Sequence, residues 1–105
     1  MGRPVRLRVA LDQCVSVKLT EFIENTMGHQ VVARAREGEP DESWLSRGFK
    51  ADADVYVTAD KACEIFAKAV GKRVLMLSMP ISAKEITRQV ERFLDDVSSL
   101  PRVWR

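Results

Sequence analysis

Histidine and cysteine are almost missing from this 105-residue chain, which has one histidine and two cysteines, Cys14 and Cys63, set far apart. With no second histidine and no metal-type cysteine pair, the sequence argues against a zinc site. Charge of one sign is lacking too. Seventeen basic and fifteen acidic side chains leave a net charge of +2, so any nucleic-acid contact must come from local placement and not from bulk charge. No run approaches the roughly 18 apolar residues of a membrane span. The opening MGRPVRLRVALD alternates arginines with aliphatics where a signal peptide would carry an apolar core. These absences leave a chain with no membrane segment and the cytoplasm as its expected compartment.

What is present reads as one globular domain, residues 1–105. Hydrophobic residues make up 46% and charged residues 30%, ordinary values for a folded soluble chain with a modest core. There is no repeat, linker or low-complexity segment. Val5 to Leu11 reads as a strand with Val5, Leu7, Val9 and Leu11 on one face and Arg6 and Arg8 on the other. Val15, Leu19, Phe22, Ile23 and Met27 recur at helical spacing, and Gly28 ends that helix. A second strand covers Gln30 to Ala35. A short helix starts near Asp41 with Trp44, Leu45 and Phe49 inward. The third strand is Asp54 to Thr58, followed by a helix with Ala62, Ile65, Phe66, Ala69 and Val70 on its inner side. Arg73 to Leu77 is the fourth strand. Past Pro80, Ser82-Ala83-Lys84-Glu85 matches a capping box, and Ile86, Val90, Phe93, Leu94 and Val97 form the last buried stripe.

Four alternations of strand and helix imply an α/β fold: three layers, an open and mostly parallel sheet of about four strands, helices on both faces. In such sheets the ligand site lies beyond the carboxyl ends of the strands. Three acids fall there. Asp12 follows the first strand, Asp41 the second and Asp60 the third. Each alone is best read as a helix N-cap. Together they suit a hard cation such as Mg²⁺ or Mn²⁺, because close carboxylates repel and a few carboxylates plus waters are what such ions take.

At these residues the chain resembles the short PIN-like domain family, which includes VapC-like toxin ribonucleases. The resemblance rests on Leu11-Asp12, on Gly28-His29-Gln30-Val31-Val32, on Pro40-Asp41-Glu42 and on Val55-Tyr56-Val57-Thr58-Ala59-Asp60-Lys61. It covers roughly Val5 to Leu77. It implies a Mg²⁺- or Mn²⁺-dependent endoribonuclease, the toxin of a toxin–antitoxin module, with Asp12, Asp41 and Asp60 as catalytic metal ligands and Glu42 and Thr58 in support. The implied partners are an RNA substrate and a small DNA-binding antitoxin, and relatives of this type commonly form homodimers. Leu100, Val103 and Trp104 find no place in the core pattern and are the expected dimer contact.

Two positions depart from the family pattern. Gln13 stands where short relatives commonly have Glu, and Ala62 where they tend to have a second Asp. Glu42, Glu64 or Asp54 could restore charge, although Asp54 begins its strand and so belongs to the opposite edge. The alternative function is therefore a weakened or inactive PIN-like module acting through protein or RNA binding.

Arg34 and Arg36, at the exit of the second strand, are either phosphate contacts or part of a solvated loop. His29 is expected to shape a turn and Trp44 to fill the core. Cys14 and Cys63 start helices beside the acids, where a dipole lowers a thiol pKa, yet small buried thiols are commoner. A phosphorylated receiver-like domain is excluded, since Asp12 is followed by Gln13 and no fifth strand is evident.

Overall fold

Every residue of Val55-Tyr56-Val57-Thr58 is buried, so this segment is covered on both faces and sits inside a sheet. The computed structural model describes residues 6–100. Its strands are β1 (Arg8–Leu11), β2 (Gln30–Arg34), β3 (Val55–Thr58) and β4 (Arg73–Met76). Its helices are α1 (Val17–Glu21), which runs on as a π-helical stretch Phe22–Thr26, α2 (Asp41–Lys50), α3 (Lys61–Ala69) and α4 (Ala83–Ser98). All strand pairs are parallel, in the order β2-β1-β3-β4. The α/β fold with a four-stranded parallel sheet is as the alternation implied.

Strand alternation divides the core in two, because successive side chains point to opposite faces. On one side Val9, Leu11, Val55 and Val57 meet Val15, Leu19 and Ile23 from the first helical segment and Ile86, Val90, Leu94 and Val97 from α4. On the other side Ala10, Ala33 and Tyr56 meet Trp44 and Leu45 of α2 and Cys63 and Ala67 of α3. Three layers result. Among the described residues no helix is long and apolar enough to cross a membrane.

The ends of the elements follow local chemistry. The Ser16 side chain accepts from Leu19 N–H to cap α1, and Gly28 closes the segment with a φ of 78°. The Ser82 side chain accepts from Glu85 N–H as the capping box requires, but the Glu85 carboxylate meets Gln89 and Arg88 further along α4. His29 is buried. Its Nδ1 accepts from the backbone N–H of Leu7 at 3.0 Å, tying the loop before β2 to the entry of β1.

Two inward faces differ from expectation. Phe49 is 50% exposed, because α2 approaches the sheet through Gly48. A Cβ there would stand 3.0 Å from Ala10 Cβ and 3.2 Å from the Tyr56 ring. Helix α3 is turned so that Cys63 and Ala67 are buried, Phe66 and Val70 half-buried, Ala62 and Ala69 exposed, and Ile65 60% exposed. The bulk of Tyr56 explains this: its ring lies against Trp44 at 6.1 Å, tilted by 54°, and meets Phe66 edge-on at 6.3 Å, which leaves room only for small side chains directly beneath α3. Trp44 is fully buried, as expected of a core residue. Val5, Val103 and Trp104 lie outside the described residues, and Leu100 is half-buried.

Candidate metal centre

Strand order places the first loop. From β1 the chain goes outward to β2 on one side, and β3 lies on the other side of β1. The carboxyl ends of β1 and β3 therefore flank a topological switch point, where parallel α/β sheets open a crevice. Asp12 leaves β1 there, and its N–H donates to Val57 O at 2.9 Å, fixing the two strand ends together.

The Asp12 carboxylate is held at both oxygens. Oδ1 accepts from Gln13 N–H at 2.6 Å, and Oδ2 accepts from the Thr58 hydroxyl at 2.5 Å. Thr58 is fully buried, and its Oγ1 in turn accepts from Asp60 N–H at 3.0 Å. One hydroxyl thus orients the first acid and the backbone before the third. Asp41 opens α2, where the helix dipole favours a negative charge. Pro40 occupies the cap position, so the Asp41 carboxylate is not spent on capping; Oδ1 accepts from Trp44 Nε1 at 3.2 Å.

Ligand atoms of Asp12, Asp41 and Cys63 lie within 4.8 Å of one another, the one such group of three among the described residues. Two of the three expected carboxylates converge. The Asp60 carboxylate is not a member of the group, for a local reason: Asp60 caps α3, its Oδ1 accepting from Ala62 N–H at 2.8 Å. Its charge is still felt at Cys63.

Cys63 was legible only as a small buried thiol beside the acids, and it is fully buried. Burial pushes its pKa up to about 12; the charges of Asp41, Asp12 and Asp60 add to the rise, while a hydrogen bond with Thr58 opposes it. Burial, and then Asp12, also raise the Cys14 thiol. Neither is the low-pKa thiol that helix starts can produce. Two carboxylates with a neutral sulfur beside them are a donor set that could hold a divalent metal ion, the carboxylates supplying the charge.

The remaining expected residues are dispersed. Glu42 is exposed on the first turn of α2. The Glu64 carboxylate meets Lys68 at 3.5 Å. Asp54 belongs to the opposite edge, as expected, where its Oδ2 accepts from Arg8 N–H at 2.8 Å. Arg34, Arg36 and Arg47 line a cleft of about 310 Å³ along the outer edge of β2, with Val31, Val32 and Ala33. Arg34 Nη2 donates to Val15 O at 3.4 Å, and its Nε is buried without a partner. Arg36 is exposed. Arg47 is tied down, donating to both Glu39 oxygens and to Arg34 O. Hydrogen bonds from Arg47, then Ser43 and the Arg36 backbone, pull the Glu39 pKa down to about 2.

No protein-family model, curated protein or solved structure matches the chain.

Proposed function

We propose that this chain is a PIN-like, Mg²⁺- or Mn²⁺-dependent endoribonuclease and the toxin of a toxin–antitoxin module, working in the cytoplasm. The observation that carries the reading is the Asp12–Thr58 junction at the switch point, with Asp41 brought to it from the next helix. Asp12 and Asp41 would hold the ion. A cation bound there supplies Lewis-acid polarisation of a phosphoryl oxygen and a water of lowered pKa.

The chain's own residues do the rest. Thr58 and Gln13 N–H fix the Asp12 carboxylate before any ligand arrives, so little ordering remains to be done on binding. The Trp44 indole does the same for Asp41. Arg34 and Arg36, at the exit of β2 and on the cleft beside it, receive the phosphates of a single-stranded RNA. Asp60 contributes negative charge at the edge while capping α3. The partners on this reading are RNA, a small DNA-binding antitoxin and a second copy of the chain.

One observation favours a second reading. Asp60 is engaged as a cap, and Gln13 and Ala62 bring no acid to the edge, so a binding module without turnover has the same geometry. Incubating purified protein with single-stranded RNA separates the two. The nuclease cleaves with Mg²⁺ or Mn²⁺ and stops on addition of EDTA; the binding module retains RNA or a partner and leaves RNA intact.

A further inference from the structure

The metal reading assigns Asp12 and Asp41 but leaves unused the third donor of the group. Cys63 comes from the first turn of α3, a different element from either acid, and its sulfur lies within 4.8 Å of their oxygens. It is fully buried, on the inner side of its helix, so its position is set by core packing and not by a mobile surface chain. The side chain of Asp60, three residues earlier, is occupied at the cap. The group of three is thus completed by a sulfur and not by a third carboxylate.

Resting on the metal-centre reading above, we infer that Cys63 Sγ is the third protein ligand, and that it makes the site prefer Mn²⁺ and other thiol-tolerant divalent ions over Mg²⁺. The chemistry follows from ligand softness. Carboxylates and waters serve Mg²⁺ and Mn²⁺ alike, whereas sulfur is a poor partner for Mg²⁺, which keeps near-ideal octahedral oxygen coordination. Forming the metal–sulfur bond breaks the S–H bond, and the proton passes to solvent. Asp12 and Asp41 do not depend on the sulfur, so Mg²⁺ retains a weaker, two-carboxylate site. Selectivity is the property that the sulfur adds.

The test uses the full chain and Co²⁺ as probe, since a cobalt–thiolate bond gives a charge-transfer absorption that carboxylate ligands do not. The wild type titrated with Co²⁺ should show the band, Cys14→Ser should keep it, and Cys63→Ser should lose it. The ratio of Mg²⁺ to Mn²⁺ dissociation constants should fall in Cys63→Ser by about tenfold or more, because even outer-shell partners are worth that much. Mg²⁺ affinity itself should change little. If Cys63→Ser fails to fold, the wild-type and Cys14→Ser spectra still decide. Co²⁺ binding that Asp12→Asn weakens, but with no charge-transfer band in the wild type, would overturn the role of Cys63 and leave the metal centre standing. Absence of Co²⁺, Mn²⁺ and Mg²⁺ binding in the wild type would overturn both.

Discussion

The Thr58 hydroxyl donates to Asp12 Oδ2 at 2.5 Å, linking two residues 46 positions apart in sequence and closing the gap between the ends of β1 and β3. Hydrogen bonds to a charged acceptor are shorter and stronger than neutral ones, and this one is shielded by the burial of Thr58. The Thr58 hydroxyl oxygen in turn accepts from Asp60 N–H. Fold and candidate site share this one hydroxyl.

Thr58→Val keeps the shape and removes the hydroxyl. Asp12 then loses a fixing donor, and Asp60 N–H loses its acceptor. Divalent-ion affinity should fall roughly 10–100-fold, as it does when outer-shell partners of metal ligands are lost, and stability should fall by about 0.5–1.5 kcal/mol for each hydrogen bond lost. Calorimetric titration with Mn²⁺, together with urea unfolding, measures both. Unchanged affinity would show that Thr58 serves the fold alone.

His29 gives a pH signature away from the site. Its Nδ1 must accept from Leu7 N–H, and burial, the largest influence, lowers its pKa below 6.5. Asp95 opposes that shift and Arg6 reinforces it. A depressed histidine pKa means that the unfolded chain binds the proton first. Stability is therefore full above the unfolded pKa of about 6.5 and declines as pH falls through the folded value. Urea midpoints between pH 7.5 and about 5 should fall for the wild type. His29→Leu should remove this component and cost about 1–3 kcal/mol at neutral pH by leaving Leu7 N–H unpaired.

Gly48→Ala sets two effects against each other. Alanine gains about 1 kcal/mol of helix propensity over glycine. Its methyl would stand 3.0 Å from Ala10 Cβ, which is fixed to the backbone of a central strand and cannot move aside cheaply. Overpacking of this kind costs about 1–3 kcal/mol, so net destabilisation is expected. Denaturant midpoints of the two proteins decide it, and a more stable variant would mean that the sheet yields.

Much of this architecture was legible before the structure. Strand and helix alternation and the stripes of α1 and α4 are properties of residue spacing. The inner faces of α2 and α3 were legible only in part: Trp44 and Leu45 are inward as their spacing implied, but Gly48, Cys63 and Ala67 are inward for being small, and smallness matters only once Tyr56 is known to lie beneath them. The site divides the same way. Topology alone brings Asp12 and Asp41 to one edge. Whether Asp60 would cap or converge depends on backbone angles that an acid at a strand–helix junction does not reveal. Cys63 left a trace in its position beside the acids, but nothing in the sequence aims its sulfur at them.

Restoring acid at the two departing positions tests how much charge the edge lacks. Gln13 and Ala62 are both exposed, so Gln13→Glu with Ala62→Asp should be accommodated without disturbing the core. Mn²⁺ affinity should rise, and the apo protein should lose some stability through added repulsion among carboxylates. Calorimetry with and without Mn²⁺ reads both. An affinity equal to that of the wild type would place the two positions outside the ion's reach.

The most direct measurement compares wild type, Asp12→Asn and Asp41→Asn for cleavage of single-stranded RNA in Mn²⁺, with circular dichroism on each protein. Either substitution removes a ligand charge and keeps the shape. The wild type should cleave, EDTA should stop it, and both variants should lose roughly a hundredfold or more in rate, at or beyond the upper end of what outer-shell partners are worth. Both should stay folded, since removing one of two close carboxylates relieves repulsion. Cleavage unaffected by EDTA, or equal in all three folded proteins, would contradict the metal centre as the seat of activity.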